Sequence, residues 1–396
     1  MQNILIINSG SSSLKFQLIE MPSEKVLASG LVERIGQEIS KLHYSSLAYS
    51  TSEELSIPDH SEALKRITDF LLHPDRGVIR EASEIPAISH RVVHGGAAFS
   101  ETLIIDEKVK SKIKNLFSLA PLHNPPNLKG IEVAEEIFPQ AKQIAVFDTA
   151  FHRSIPAKAN HYAIPLSFLE ENHIQVYGFH GTSHKYVSEK AIEKLQKKDS
   201  KIITVHLGNG CSITAVQDGK SVDHSLGFGP VNGLIMGTRS GDIDQSVIFY
   251  LIEKMGYTAK EVSDLLHHKS GMLGLTGFSD LRDIEAEAEK GNHRCQLALE
   301  MNAYRIKKYI GSYTAAMNGL DAIVFTAGIG ENSSKLRSMI CSNMDFLGIS
   351  IDEEKNKVRS KEIRNINNNT SKVRVFVIPT NEELEIAKQS YSLIFG

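Results

Sequence analysis

The fold is read from Ile4-Leu5-Ile6-Ile7-Asn8-Ser9-Gly10-Ser11-Ser12-Ser13-Leu14-Lys15-Phe16-Gln17-Leu18-Ile19. An apolar run breaks at a glycine flanked by small polar residues, and a second run returns. That is the pattern of a strand, a turn and an antiparallel strand. It recurs half a chain later, where Ile202-Ile203-Thr204-Val205 leads through His206-Leu207-Gly208-Asn209-Gly210 into Ser212-Ile213-Thr214-Ala215-Val216. Gly10 and Gly208 hold equivalent places. Small-residue turns of this kind let backbone N–H groups approach phosphate oxygens. Two of them predict a duplicated fold that grips one polyphosphate.

The 396 residues exceed one ordinary core, so two domains are expected. The 44 basic and 47 acidic side chains leave a net charge of −3. This balance gives no electrostatic case for nucleic acid or for an acidic membrane surface, so any anion must be bound by a local site. Cys211, Cys295 and Cys341 are widely spaced and form neither a metal pattern nor a disulfide framework, which fits a reducing compartment. The start, Met1-Gln2-Asn3-Ile4, carries no basic region leading into a signal-length apolar stretch, and no apolar run is long enough to span a bilayer. The expectation is a soluble, cytoplasmic protein.

Strand and helix signals alternate along the chain, as in an α/β protein. Helices are expected at 61–72, at 106–119 with Asp106 as N-cap, and at 128–138 after Pro125-Pro126-Asn127. Gln143 to Phe147 reads as a buried strand ending at Asp148, a position where open α/β sheets collect functional side chains. The polar, proline-broken stretch that follows puts a domain boundary near 148–150. In the second half, a helix follows His184, a long helix covers 294–317, and the strand 322–326 runs into a glycine turn, Ala327 to Asn332. A last buried strand, 373–378, precedes the terminal helix 382–393.

A P-loop is absent, since Gly219-Lys220-Ser221 has Thr214 in place of the leading glycine and reads as a hairpin turn. Gly328-Ile329-Gly330 lacks the third glycine of a dinucleotide fingerprint. What remains is three glycine turns, at Gly10, at Gly208/Gly210 and at Gly328/Gly330. Together with the duplicated hairpin they resemble the superfamily of sugar kinases, actin and heat-shock chaperone ATPases, in which two ribonuclease-H-like domains clamp a nucleotide in the cleft between them.

Longer motifs narrow the resemblance. Asn8 to Lys15, His90-Arg91-Val92-Val93-His94-Gly95-Gly96, Pro121-Leu122-His123-Asn124-Pro125-Pro126 and Phe147 to His152 are similar to signatures of the acetate kinase family. So are Gly178 to His184, Met236-Gly237-Thr238-Arg239-Ser240-Gly241-Asp242 and Pro379-Thr380-Asn381-Glu382-Glu383. They occur in order over residues 8 to 383. The resemblance implies an α/β protein of two ribonuclease-H-like domains, one formed by 1–148 plus the helix 382–396 and the other by 149–381. It implies reversible, direct in-line phosphoryl transfer between ATP and acetate, giving acetyl phosphate and ADP, with propionate kinase as the alternative. It also implies a homodimer.

The chemistry asks for these residue types, because acetate and ATP are both anions and charge builds on the transferring group. Arg91 and Arg239 can each offer a planar fork to a carboxylate or phosphoryl oxygen. The resemblance assigns His180 and Arg239 to the transition state, His123 nearby, and Asp148 as the active-site carboxylate. It assigns acetate to Arg91 and to a small apolar pocket of Val93, Leu122, Phe179 and Pro230. The nucleotide falls to Lys15, to His206, Leu207, Gly208, Asn209 and Gly210, to Asp280, Leu281 and Arg282, and to Gly328, Ile329, Gly330, Glu331 and Asn332. Asn8 and Glu382 are assigned to Mg²⁺, with Mn²⁺ as the alternative metal; Glu382 also reads as a first-turn residue of a helix capped by Thr380 and Glu383. A nucleotide-driven clamp without an acceptor fits less well, since ATP sensing requires neither the two arginines nor the two histidines.

Overall fold

The computed structural model describes all 396 residues, which divide into two units. Unit 1 comprises Met1–Phe151 and Asn381–Gly396; unit 2 comprises His152–Thr380.

Unit 1 is built on strands β1 (Gln2–Ser9), β2 (Ser13–Met21), β3 (Lys25–Glu33), β4 (Ser40–Ser46), β5 (Ser50–Leu55), β6 (Ala87–Val92), β7 (Leu103–Ile104) and β8 (Lys142–Phe147). Their order in the sheet is β5-β4-β3-β2-β1-β6-β8-β7. β1 and β2 form the expected antiparallel hairpin, with Asn8 opposite Lys15, and Gly10 N donates to Ser13 O at 2.8 Å to close it. β6 runs parallel to β1, and β8 parallel to β6. Leu5, Ile7, Leu14, Phe16 and Leu18 share one core with Leu64, Ile67 and Leu71 of the helix His60–Leu71. Alternation along each strand places these side chains on one face. The helix Glu382–Phe395 packs against β1, β2, β6 and β8, so the end of the chain returns to the first sheet.

Unit 2 repeats the plan with β9 (Lys201–Leu207), β10 (Cys211–Gln217), β11 (Lys220–His224), β12 (Ala322–Thr326), β13 (Arg364–Asn365) and β14 (Arg374–Val377), ordered β11-β10-β9-β12-β14-β13. β9 pairs antiparallel with β10 and parallel with β12, and β12 pairs parallel with β14. The run β11-β10-β9-β12-β14 therefore matches β3-β2-β1-β6-β8 in order and direction. The two-fold repetition of glycine hairpins in the sequence is a repetition of whole sheets.

Several boundaries differ from expectation for local reasons. The helix after the prolines begins at Asn124, because Pro125 and Pro126 fill its first turn, where a missing N–H costs nothing. The helix capped by Asp106 ends at Asn115, short of Leu119. Ala327–Asn332 is a short helix, not a turn. The last helix is capped by Asn381, whose side chain accepts from Leu384 N, so Thr380 is not its cap. No helix is long and apolar enough to cross a membrane.

Candidate active site

In unit 1 the parallel register of β6 and β8 brings two predicted residues together at the strands' C-terminal ends. Arg91 donates from Nη2 to Asp148 Oδ2 at 2.6 Å and from Nε to Oδ1 at 3.0 Å. Glu382 Oε2 lies 3.8 Å from the same Nε, and Lys15 pairs with Glu383 across the hairpin edge. Burial works against the Arg91 charge, but Asp148, Glu382 and Glu383 outweigh it and hold the guanidinium protonated far above its ordinary range. Glu382 is pushed the other way: desolvation raises its carboxyl, and Arg91 offsets only part of the effect. Asp148, Glu382 and Glu383 face Arg91 and Lys15, so this group of five carries one negative charge more than positive.

The loop after β6 is held by the helix Asn124–Ile137. Asn127 Oδ1 accepts from Val93 N at 3.1 Å, and Asn124 Oδ1 accepts from His94 N at 3.1 Å. Asn127 Nδ2 in turn donates to Ser9 O at 2.7 Å, tying that loop to the β1–β2 turn. His123 stands exposed at the N-terminal end of the same helix. Leu122 is exposed and Val93 half-buried.

In unit 2 the predicted phosphate turn sits among catalytic candidates. His180 precedes the helix Gly181–Leu195 in the left-handed conformation, φ +58°, which is strained for a residue with a side chain. Its ring stacks on His206 with centroids 4.4 Å apart. A methyl group placed on Gly210 would lie 3.5 Å from His180 Nε2 and 3.8 Å from Arg239 Nη1, so both side chains converge over this glycine. The arginine loop can approach because residue 237 is glycine: a Cβ there would fall 2.2 Å from Asn209 Oδ1. Gly237 N also donates to Asn209 O at 3.1 Å. Arg239 itself donates only to Pro230 O, at 3.0 Å, and to the Met236 sulfur. It has no carboxylate partner, and burial lowers its pKa. A desolvated guanidinium without a counter-ion is a prepared anion site.

Beside this turn a cavity of about 810 Å³ is lined by Gly208, Asn209, Asp280, Leu281, Arg282, Gly328, Ile329 and Asn332, together with Ser279, Glu285, Ser333 and Arg359. Three separate predicted segments thus meet in one cavity within unit 2. Asp280 caps the helix Leu281–Glu289 and pairs with the exposed Arg282, whose hydrogen bonds hold its carboxyl down at about 2. Leu207, Gly330 and Glu331 lie outside the lining. Leu207 is core, and Gly330 O accepts from the buried Arg337 at 2.8 Å. The Glu331 carboxyl, raised by burial, accepts from Thr380 N at 3.2 Å. Phe179 is buried and Pro230 half-buried.

The sequence reading missed Ser279, Glu285, Ser333 and Arg359, since a single polar residue in a loop, at a helix cap or on a helix carries no pattern. It also passed over a polar string behind His180. Ser212 Oγ lies 2.8 Å from His180 Nδ1 and 2.7 Å from His184 Nε2, while His184 Nδ1 lies 2.7 Å from Thr204 Oγ1. The available signal was His184, one helical turn after His180 on the same face.

Comparison with known proteins agrees with this picture. Residues 3–388 match the acetokinase family. The acetate kinase of Flavobacterium johnsoniae is 62% identical over 391 residues, covering 99% of each chain. The crystal structure of Porphyromonas gingivalis acetate kinase superposes with a TM-score of 0.94 at 43% identity, covering both chains completely. A propionate kinase from Francisella tularensis superposes with a TM-score of 0.93 at 42% identity, also over both full chains. Fold and relatives together define a phosphotransferase with a carboxyl group as acceptor. The chain belongs to the acetokinase family.

Proposed function

We propose that this protein transfers the γ-phosphoryl group of ATP to acetate, reversibly and in line. An acetate oxygen attacks phosphorus, the bond to the β,γ-bridging oxygen breaks, and acetyl phosphate and ADP leave. The observation that carries the reading is the convergence of His180 and the counter-ion-free Arg239 over Gly210, beside a nucleotide-sized cavity. Arg239 neutralises charge on the transferring group, His180 donates to one of its oxygens, and His123 assists. The turn Gly208-Asn209-Gly210 offers backbone donors, and the 280–282 and 328–332 segments hold the nucleoside. Arg91, fixed by Asp148, presents its remaining nitrogen to the acetate carboxylate, with Val93, Leu122, Phe179 and Pro230 around the methyl group. Lys15 serves the phosphates.

The unit 1 group fits a magnesium ion. Its donors are oxygens, the Glu382 carboxyl is desolvated, and the local balance is one negative charge. Asn8 and Glu382 would hold the ion, with waters and phosphate oxygens completing its shell, and Mn²⁺ would serve in its place. When bound it supplies charge neutralisation on the phosphates.

Production of acetyl phosphate, trapped as its hydroxamate from ATP, Mg²⁺ and acetate, tests the proposal. No acyl phosphate from acetate, propionate or butyrate would overturn it, and a clear preference for propionate would move it to that acid. A homodimer is part of the proposal. The helix Gln245–Glu253, QSVIFYLIE, has no buried residue, and Phe249 and Tyr250 are 58% and 60% exposed. An apolar helix face of this kind requires cover. Light scattering at the mass of one 43.8 kDa chain would count against it. The chemistry belongs to the cytoplasm, where ATP is available.

A further inference from the structure

We propose that His184, acting through Ser212, fixes His180 in the tautomer that carries its proton on Nε2, the nitrogen directed toward Gly210 and Arg239. The inference rests on His180 serving the transferring phosphoryl group.

The argument is a count of hydrogens in a sealed string. Thr204 on β9, His184 on the helix, and Ser212 on β10 are all fully buried, so no water completes their bonding. Thr204 Oγ1 has one hydrogen-bond partner, His184 Nδ1 at 2.7 Å. Ser212 Oγ has two, His184 Nε2 at 2.7 Å and His180 Nδ1 at 2.8 Å. Each hydroxyl owns one hydrogen and a neutral imidazole owns one. Burial and the neighbouring imidazoles hold His184 well below its ordinary range, so it is neutral.

Three arrangements satisfy the three contacts, and only the first gives every hydrogen in the string an acceptor. In the first, Thr204 donates to His184 Nδ1, His184 Nε2–H donates to Ser212, and Ser212 donates to His180 Nδ1. Every hydrogen in the string then has an acceptor, and His180 carries its own on Nε2. In the second, each bond is reversed. His180 Nδ1–H donates to Ser212, Ser212 to His184 Nε2, and His184 Nδ1–H to Thr204. The Thr204 hydrogen is then left buried with no acceptor, which is the costly outcome. In the third, His184 Nε2–H and His180 Nδ1–H both donate to Ser212, and the buried Ser212 hydrogen is left without an acceptor; a doubly protonated His180 requires one of these two costly arrangements. The string therefore selects a neutral His180 with an Nε2–H.

The function follows from the sign of the dipole. An Nε2–H meets a phosphoryl oxygen as a donor, whereas the other tautomer presents a lone pair to an anion. Ser212 also ties down a residue whose backbone is strained at φ +58°. Ser212 and His184 are positioning residues, since they act only through His180.

Long-range ¹H–¹⁵N spectra of the full-length enzyme labelled at histidine read the tautomer directly. The expected result is a pyrrole-type Nε2 and an unprotonated Nδ1 for His180, lost in S212A and in H184L. In both variants kcat falls ~10–100-fold, as for other partners that orient an imidazole, while KM for acetate and ATP stays within about 2-fold. H184Q, whose amide can still donate to Ser212, recovers most of the kcat lost in H184L. S212A carries the test alone if H184L does not fold. An Nδ1–H His180 in the parent enzyme, or an unchanged His180 tautomer in S212A, overturns the relay. Near-normal turnover of H180A with the expected tautomer would instead remove His180 from the chemistry and leave the relay standing.

Discussion

Arg91 grips Asp148 with two nitrogens, Nε at 3.0 Å from Oδ1 and Nη2 at 2.6 Å from Oδ2. Arg91 lies near the end of β6 and Asp148 directly follows the parallel β8, and the Asp148 side chain is only 2% exposed. The carboxylate thereby sets the plane and direction of the guanidinium. Removing Arg91 takes the bidentate partner from a buried carboxylate. R91L is expected to lose about 3 kcal/mol of unfolding free energy, and R91L/D148N to regain part of it. Urea unfolding of the full chain measures both, and an R91L protein as stable as its parent would contradict the pairing.

Glu382 stands at the start of its helix beside Arg91, desolvated and surplus to local charge balance. E382Q is expected to raise the Mg²⁺ concentration for half-maximal activity ~10–100-fold, in line with lost metal-site partners. Chelation should abolish activity in the parent enzyme. Unchanged magnesium dependence in E382Q would place the ion elsewhere.

Arg239 separates stability from activity. R239A should lower kcat ~10³-fold or more, as for arginines that neutralise a transferring phosphoryl group. Because the side chain is desolvated and lacks a counter-ion, the same variant should unfold at no lower temperature than the parent. Turnover close to normal would sink the assignment.

Unit 1 should weaken in mild acid. Burial lowers His90 and His94 from 6.5 to about 4, with a hydrogen bond to Gln143 resisting the shift at His90. Between those values the unfolded chain binds protons that the folded chain refuses, so stability falls as pH drops from about 6.5 toward 4. At pH 5 the loss is about 2 kcal/mol for each histidine. H94N, whose Oδ1 can still accept from Gly96 N, should flatten the dependence by one histidine's share. Equal slopes for H94N and the parent would refute the source.

Acid length should respond to residue 93. V93A removes two methyl groups from the proposed acetate pocket, and the ratio of kcat/KM for propionate over acetate should rise by ~10-fold, about the worth of one methylene. An unchanged ratio would take Val93 out of the pocket.

The architecture was legible where one element explains itself. Glycine between apolar runs announced both hairpins, and the Asp106 cap lies at the helix start that its sequence marks. Residues 25–55 carry a weak strand signal, because β5 has no buried residue, β3 alternates weakly, and the alternating buried face of β4 holds only two apolar side chains, Leu42 and Tyr44. The site was legible where backbone requirements leave a trace, as at Gly208, Gly210 and Gly237. Ser212 and Thr204 left none. Their hydroxyls gain meaning only when neighbouring strands and a helix meet, and nothing in a strand sequence records which polar residue will face an imidazole. The Arg91–Asp148 pair lies between these extremes: each end was visible, but the bond depends on the register of β6 against β8.

The helix Glu382–Phe395 gives unit 1 an unusual history in time. Leu384, Ile386 and Ala387 cover a sheet made of residues 2–147, and all of 152–380 is synthesised before they arrive. During translation that face of the first sheet stays uncovered until the last helix is made. A prematurely terminated chain would also lack Glu382 and Glu383. The molecule acquires these two carboxylates last, so the charge balance around Arg91 and Lys15 is completed only in a chain read through to that helix.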